Sequence, residues 1–258
     1  MANDLRDPGF VDGPHGSTAM SLLAPFRWVV AERLSLSHAA VIGSYLLQPP
    51  PPPIARHVAL FKRAIDIIGS LFALALASPV MLLTILALWR SGGSIFFSQT
   101  RIGHNGDSFR CWKFRSMVPD AENVLKALLD RDPALRAEWM CGQKLKRDPR
   151  ITRLGRFIRK TSIDELPQLW NVLRGDMSLV GPRPILPSQI VHYGRNAKWY
   201  LAMRPGITGL WQVTARGDED FDRRVRLDCA YARNFRIGKD VYILLKTVVV
   251  VLSGRGAM

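Results

Sequence analysis

Cysteine is scarce in this chain. Cys111, Cys141 and Cys229 are its three in 258 residues, odd in number and without a Cys-x-x-Cys spacing. That argues against a disulfide framework and against a cysteine-built zinc site, and it suits a reducing compartment. Histidine is also sparse: five residues form no cluster, so histidine acid–base catalysis has no support. Acid is in short supply, with 21 Asp and Glu against 36 Lys and Arg. The resulting charge of +15 needs an anionic counterpart, and nucleic acid, an acidic membrane surface or phosphorylated substrates would each serve. The first twenty residues carry Asp4, Asp7 and Asp12 among Gly and Pro without an apolar run, so no secretory signal peptide is expected there. No internal repeat is visible.

The apolar fraction of 48% is ample for a core. Residues 1–53 read as a flexible N-terminal extension that ends in Pro49 to Pro53, a stiff polyproline spacer. The folded domain is expected over 54–258. Its first feature is an uncharged apolar run from Ile67 to Trp89, preceded by Lys62, Arg63 and Asp66 and followed by Arg90. As a straight helix this run would be roughly 35 Å long, enough to cross a hydrocarbon core of about 30 Å. Ser78-Pro79 stands at its middle, where Pro costs on the order of 3 kcal/mol in a continuous helix. Two arms of about 17 Å each would instead enter and leave by one leaflet. Positive flanks at both ends agree with that, and on physics alone hairpin and span remain open alternatives.

Beyond the run, Ile95 to Phe114 alternates apolar and polar residues around Asn105-Gly106, a β-hairpin signal. Pro119-Asp120 opens a helix, and Asp132-Pro133 ends it and starts another. Between Lys144 and Lys160, basic residues including Arg150, Arg153 and Arg156 recur among Ile151, Leu154, Phe157 and Ile158, a pattern suited to an anionic membrane interface. Nucleic-acid contact would look similar. The segment from Asp218 to Asn234 places Leu227, Tyr231 and Phe235 on one helix face. The tail from Val241 to Leu252 is apolar but too short to cross a bilayer, and is expected to form a core or interfacial helix.

Chemistry concentrates in Thr161-Ser162-Ile163-Asp164-Glu165-Leu166-Pro167-Gln168-Leu169. Pro167 is tolerated only in a helix's first turn, so a helix is expected to start near Asp164. Unpaired N–H groups there favour ionised carboxylates, and Arg159 and Lys160 stand just upstream. A plain capping box, Ser162 with Glu165, is the structural alternative.

The surrounding motifs are Lys113-Phe114-Arg115-Ser116-Met117, Asn171-Val172-Leu173-Arg174-Gly175-Asp176-Met177-Ser178-Leu179-Val180-Gly181-Pro182-Arg183-Pro184, and Pro205-Gly206-Ile207-Thr208-Gly209. Together with the Asp-Glu stretch they closely resemble the bacterial sugar transferases, the monotopic polyprenyl-phosphate phosphoglycosyl transferases that begin exopolysaccharide assembly. The resemblance runs from about Phe61 to the C-terminus. It implies a mainly α fold with a small β-hairpin (α+β), a re-entrant membrane helix hairpin over 61–90 broken at Ser78 and Pro79, and a cytoplasmic catalytic domain on the bacterial inner membrane. It implies transfer of a sugar-1-phosphate from a UDP-sugar to polyprenyl phosphate, giving UMP, with anionic membrane lipids as neighbours, no nucleic-acid partner and a possible homo-oligomer. Asp164 is the implied nucleophile, forming a covalent phosphosugar intermediate, with Glu165 assisting. Both carboxylates could hold Mg²⁺, because that ion is commonly bound through one or two carboxylates plus substrate phosphates. Lys113, Arg115, Arg159 and Arg183 are the implied substrate-binding residues. The contrasting reading is a basic membrane-tethered binding protein without catalysis. It rests on charge alone, predicts steeply salt-dependent binding and leaves the Asp-Glu pair unexplained.

Overall fold

Alternation around Asn105-Gly106 becomes a regular antiparallel pair, β2 (Phe96–Ile102) with β3 (Ser108–Phe114). Asn105 and Gly106 both take positive φ, 55° and 83°, which reverses the chain tightly. The computed structural model describes residues 29–30, 42–45, 51–142, 145–215 and 220–253. Most of the expected N-terminal extension lies outside them. Within it, Val29–Val30 forms a short strand, β1, parallel to Phe97 and Ser98 of β2, and Ile42 is buried in a core cluster with Ile102, Ile190 and Tyr193.

The domain is mainly helical. In chain order its α-helices are α1 (Arg56–Arg90), α2 (Ala121–Arg131), α3 (Pro133–Gly142), α4 (Arg153–Lys160), α5 (Gln168–Arg174), α6 (Ala197–Leu201), α7 (Leu210–Thr214), α8 (Phe221–Arg233) and α9 (Ile237–Ser253). Two short parallel strands unforeseen in the sequence, β4 (Ser178–Val180) and β5 (Gly206–Thr208), form a second sheet. Their approach depends on small residues: a Cβ on Gly181 would stand 2.3 Å from the Arg204 carbonyl oxygen, and one on Gly206 would stand 2.1 Å from the Gly181 nitrogen.

The apolar run lies in α1, whose helical pattern continues through Ser78-Pro79. Pro79 cannot donate to the carbonyl of Ala75, and Ser78 Oγ donates to that same oxygen at 2.8 Å. The expected break is therefore not a gap in the helix, because the serine hydroxyl occupies the acceptor that proline leaves idle. Only 11% of the apolar window of α1 is buried within the protein, so α1 is not a core helix. Leu71, Phe72, Leu76, Leu82 and Leu83 are exposed along it.

The first turns of α1 nevertheless dock firmly. Lys62 Nζ bonds to Asp240 Oδ2 at 2.6 Å, and Arg63 donates to the Val172 and Leu173 carbonyls at 2.6 and 2.8 Å, capping the C-terminal end of α5. Asp66 accepts from Ser178 Oγ and from the Leu179 N–H, both at 3.0 Å. At the other end, Leu88 is buried with Ile95, Phe114 and Ile158. The tail helix α9 divides its faces, with Ile243 fully buried and Val241, Leu245, Val248 and Val249 exposed.

Candidate active site

Asp164 and Glu165 lie in one turn of 3-10 helix, Ile163–Glu165, and not in an α-helix. The cause is Pro167, which has no N–H to give the Ile163 carbonyl; that oxygen takes the Leu166 N–H at 3.1 Å, and α5 begins only at Gln168. The capping box is not formed either. Ser162 makes no side-chain cap bond and takes the left-handed conformation, φ 59°. A left-handed serine costs on the order of 1 kcal/mol, and such backbone is characteristic of functional turns. Here it reverses the chain between α4, whose last turn carries Arg159, and the Asp-Glu turn.

Lys113 reaches this turn from β3. The hairpin register pairs Phe97 with Lys113, Gln99 with Cys111 and Arg101 with Phe109, so these six residues share one face. Lys113 Nζ bonds to Glu165 Oε1 at 2.6 Å and stands 3.6 Å from Asp164 Oδ2. Asp164 is 8% exposed. Burial pushes its carboxyl above the usual range; Lys113 and then Arg159 oppose this, while Glu165 adds to it. Arg159 Nε donates to Ser116 Oγ at 2.7 Å.

Beside Glu165 is a polar pocket lined by Arg101, Cys111, Lys113, Glu165, Gln168, Arg183, Pro184 and Ile207; Asp164 adjoins it through Lys113. Arg183, fixed between Pro182 and Pro184, reaches it from the loop after β4. Arg101 donates to the Pro184 carbonyl at 3.3 Å and to Gln99 Oε1 at 2.6 Å, so it also holds that loop.

Four of the six expected site residues therefore gather directly: Asp164, Glu165, Lys113 and Arg183. Arg159 adjoins them through its charge on Asp164. Arg115 does not join them. Its guanidinium bonds to Ser91 Oγ at 2.9 Å and to the Gly92 carbonyl, anchoring the chain just beyond α1. The strand ends at Phe114, so the alternation that aims Lys113 at the site does not carry on to residue 115.

Arg101 and Gln168 were not foreseen in the sequence. Strand alternation combined with the Asn105-Gly106 register would have grouped Arg101 with Lys113. Among the described residues, no group of three or more His, Cys, Asp or Glu suits a metal. The fit for Mg²⁺ therefore narrows to Asp164 and Glu165, adjacent carboxylates of the kind the ion takes together with phosphate oxygens.

Lys113, Arg101 and Arg183 put three cations on one small pocket, chemistry that suits the oxygens of a phosphorylated ligand. Residues 57–254 match the family model described as bacterial sugar transferase. The chain belongs to that family. It is 52% identical over 196 residues to an undecaprenyl-phosphate galactose phosphotransferase of Salmonella typhimurium, covering 76% of this chain and 41% of that protein. It is 43% identical over 197 residues to the exopolysaccharide production protein ExoY of Sinorhizobium fredii, covering 76% of this chain and 87% of that one. An undecaprenyl-phosphate glucose phosphotransferase of Komagataeibacter xylinus is 40% identical over 219 residues, with 80% and 38% covered. The chain thus spans about two fifths of the length of several relatives and most of the length of ExoY. In this sugar transferase the matched region contains α1 but for its first residue, strands β2 to β5 and every residue of the pocket.

Proposed function

We propose that the protein transfers a hexose-1-phosphate from a UDP-sugar to polyprenyl phosphate in a bacterial cytoplasmic membrane, as the first membrane step of exopolysaccharide assembly. The observation that carries this is Lys113 set between Asp164 and Glu165 beside a pocket that Arg101 and Arg183 line. Both reactants are polyanions, in keeping with the net charge.

An Asp164 oxygen attacks the sugar-bearing phosphorus, the bond to the UMP oxygen breaks, and UMP leaves with the electron pair. A polyprenyl phosphate oxygen then attacks the same phosphorus and releases the Asp164 carboxylate, giving polyprenyl-diphosphate sugar. Lys113 and Arg159 keep Asp164 ionised against its burial, while Arg101 and Arg183 meet phosphate oxygens. Asp164 and Glu165 would hold Mg²⁺, which supplies charge neutralisation on the phosphates when bound.

The membrane reading places α1 as a hairpin bent near Pro79. Straight, α1 would carry Arg63 and Leu88 roughly 38 Å apart. Arg63 caps the end of α5, while Leu88 shares a cluster with Ile163 and Leu166 just before it. Residues 163–174 would span about 18 Å even as one helix, so the contacts of both arms favour a bend.

The test incubates the purified protein with radiolabelled UDP-sugars and polyprenyl phosphate. Label is expected in the organic phase only with Mg²⁺ present, and Asp164→Ala is expected to abolish it. Transfer that persists in Asp164→Ala would remove the covalent route, and release of free sugar phosphate without lipid product would make the protein a hydrolase.

A further inference from the structure

Beside the pocket, Arg183 and Arg224 share one aromatic support. The Arg183 guanidinium carbon lies 5.6 Å from the centre of the Trp211 ring and that of Arg224 lies 4.2 Å from it, with Phe221 4.8 Å from Arg224. Trp211 comes from α7, Arg224 and Phe221 from α8, and Arg183 from the loop after β4. The loop after β4 and the consecutive helices α7 and α8 thus bring two cations side by side. The arrangement is costly alone, because burial and the neighbouring Arg183 charge both weaken the basicity of Arg224.

The opposing charge acting on both is Asp228, one turn beyond Arg224 on α8. Asp228 is 1% exposed; its Oδ2 accepts from the Tyr193 hydroxyl at 2.8 Å, and its Oδ1 is buried without a hydrogen-bond partner. A single carboxylate offsets at most one of the two guanidinium charges. Two N–H donors nearby also lack acceptors: Arg224 Nε and Trp211 Nε1 are buried without a hydrogen-bond partner. Trp211 as a whole is 6% exposed. A buried donor without an acceptor is destabilising, a penalty that an incoming oxyanion removes.

We propose that Arg224, stacked on Trp211 beside Arg183, is a second phosphate-binding arginine of this site, its Nε–H and guanidinium taking oxygens of a phosphoryl group that also meets Arg183. The inference rests on the transferase reading for the source of that group, either the diphosphate of the nucleotide sugar or the monoester of polyprenyl phosphate. Arginine suits the position better than lysine because its planar fork stacks on the indole and still presents N–H groups at the edge.

The experiment uses the full chain in detergent micelles and measures equilibrium binding of UDP and of a short-chain polyprenyl phosphate, with no turnover required. Arg224→Lys and Arg224→Ala are each compared with wild type, and Trp211→Phe, which keeps a ring but removes the N–H, provides a second route should an Arg224 variant fail to fold. Thermal melting identifies the folded variants. Arg224→Ala is expected to weaken one of the two ligands by roughly tenfold or more, with Arg224→Lys restoring only part. Weakened UDP binding alone assigns the diphosphate, and weakened prenyl phosphate binding alone assigns the acceptor. Folded variants that bind both ligands as wild type does overturn the proposal. Because binding is read without turnover, a wild-type protein that binds UDP but transfers nothing counts against the transferase reading and not against Arg224.

Discussion

Lys113 touches two carboxylates of different standing. Glu165 receives its hydrogen bond, while Asp164 is buried and feels mainly its charge. The proposed reaction requires an ionised Asp164, and burial raises its pKa, so Lys113 works against that desolvation. Removing the cation raises the Asp164 pKa further. In Lys113→Met the acid limb of the kcat/KM profile is therefore expected to move to higher pH, and kcat to fall on the order of a hundredfold. A pH–rate series on both proteins reads this directly; an unmoved acid limb would mean that Lys113 acts on substrate alone.

Asp228 poses the opposite problem. Burial first, against the Tyr193 bond and the Arg224 and Arg183 charges, lifts its carboxyl to about 7. In the unfolded chain it ionises near 3.9. Its contribution to stability is thus full below about pH 4, declines as the unfolded state ionises alone, and is gone above about pH 7. The linkage amounts to about 4 kcal/mol at most. Asp228→Asn is expected to melt below or near wild type at pH 4 and to gain on it steadily up to pH 7. A difference between the two proteins that stays constant with pH would show that Asp228 does not titrate in this window.

At the scale of elements, the site depends on how closely α4 seats against the loop after β3. A Cβ on Gly155 would stand 1.8 Å from the Ser116 carbonyl oxygen, a distance that only backbone movement can relieve. That same loop holds Arg159 through Ser116 Oγ. Gly155→Ala is accordingly expected to cost about 1–3 kcal/mol in denaturant unfolding. It should also lower activity at temperatures where the protein remains folded, because lifting α4 carries Arg159 away from Asp164. Full activity in a destabilised Gly155→Ala would separate Arg159 from the chemistry.

Elements written in local pattern were legible: the hairpin from its alternation and Asn-Gly turn, α2 and α3 from Asp-Pro punctuation, and α5 from Gly175, which ends it at φ 95°. Features set by contacts far apart in the chain were not. The start of α5 shifted because one missing N–H at Pro167 changed the hydrogen-bond partner of Ile163. Arg115 could not be placed without knowing where β3 ends. Asn171, fully buried, accepts from the Trp112 N–H at 3.0 Å and donates to the Arg110 carbonyl at 2.7 Å, tying α5 to β3 through contacts about sixty residues apart. Nothing local in its sequence announces that.

For the whole molecule, the decisive question is how a helix of this length is anchored at both of its ends to the body that carries the site. The start of α1 is tied to α5, β4 and α9 by Arg63, Asp66 and Lys62, and the chain just after its end is tied to the hairpin by Arg115. A straight helix of about 50 Å pulls those two anchorages apart, whereas a bend near Pro79 lets one body hold both. Ser78 is what makes the proline tolerable, since its hydroxyl already serves the Ala75 carbonyl. Pro79→Ala should then remove the penalty against a straight helix without breaking any hydrogen bond, so the balance moves toward a span across the bilayer. The measurement is labelling of His57→Cys and Arg90→Cys, each in a chain with Cys111, Cys141 and Cys229 replaced, by a membrane-impermeant maleimide applied to sealed vesicles of either orientation. With Pro79 present, both positions are expected to label from one face. With Pro79→Ala, part of the Arg90→Cys population should label from the other face, and transferase activity should fall in proportion, because a spanning α1 cannot keep Arg115 and Asp66 on the same body. Labelling of positions 57 and 90 from opposite faces in the parent chain would remove the hairpin outright.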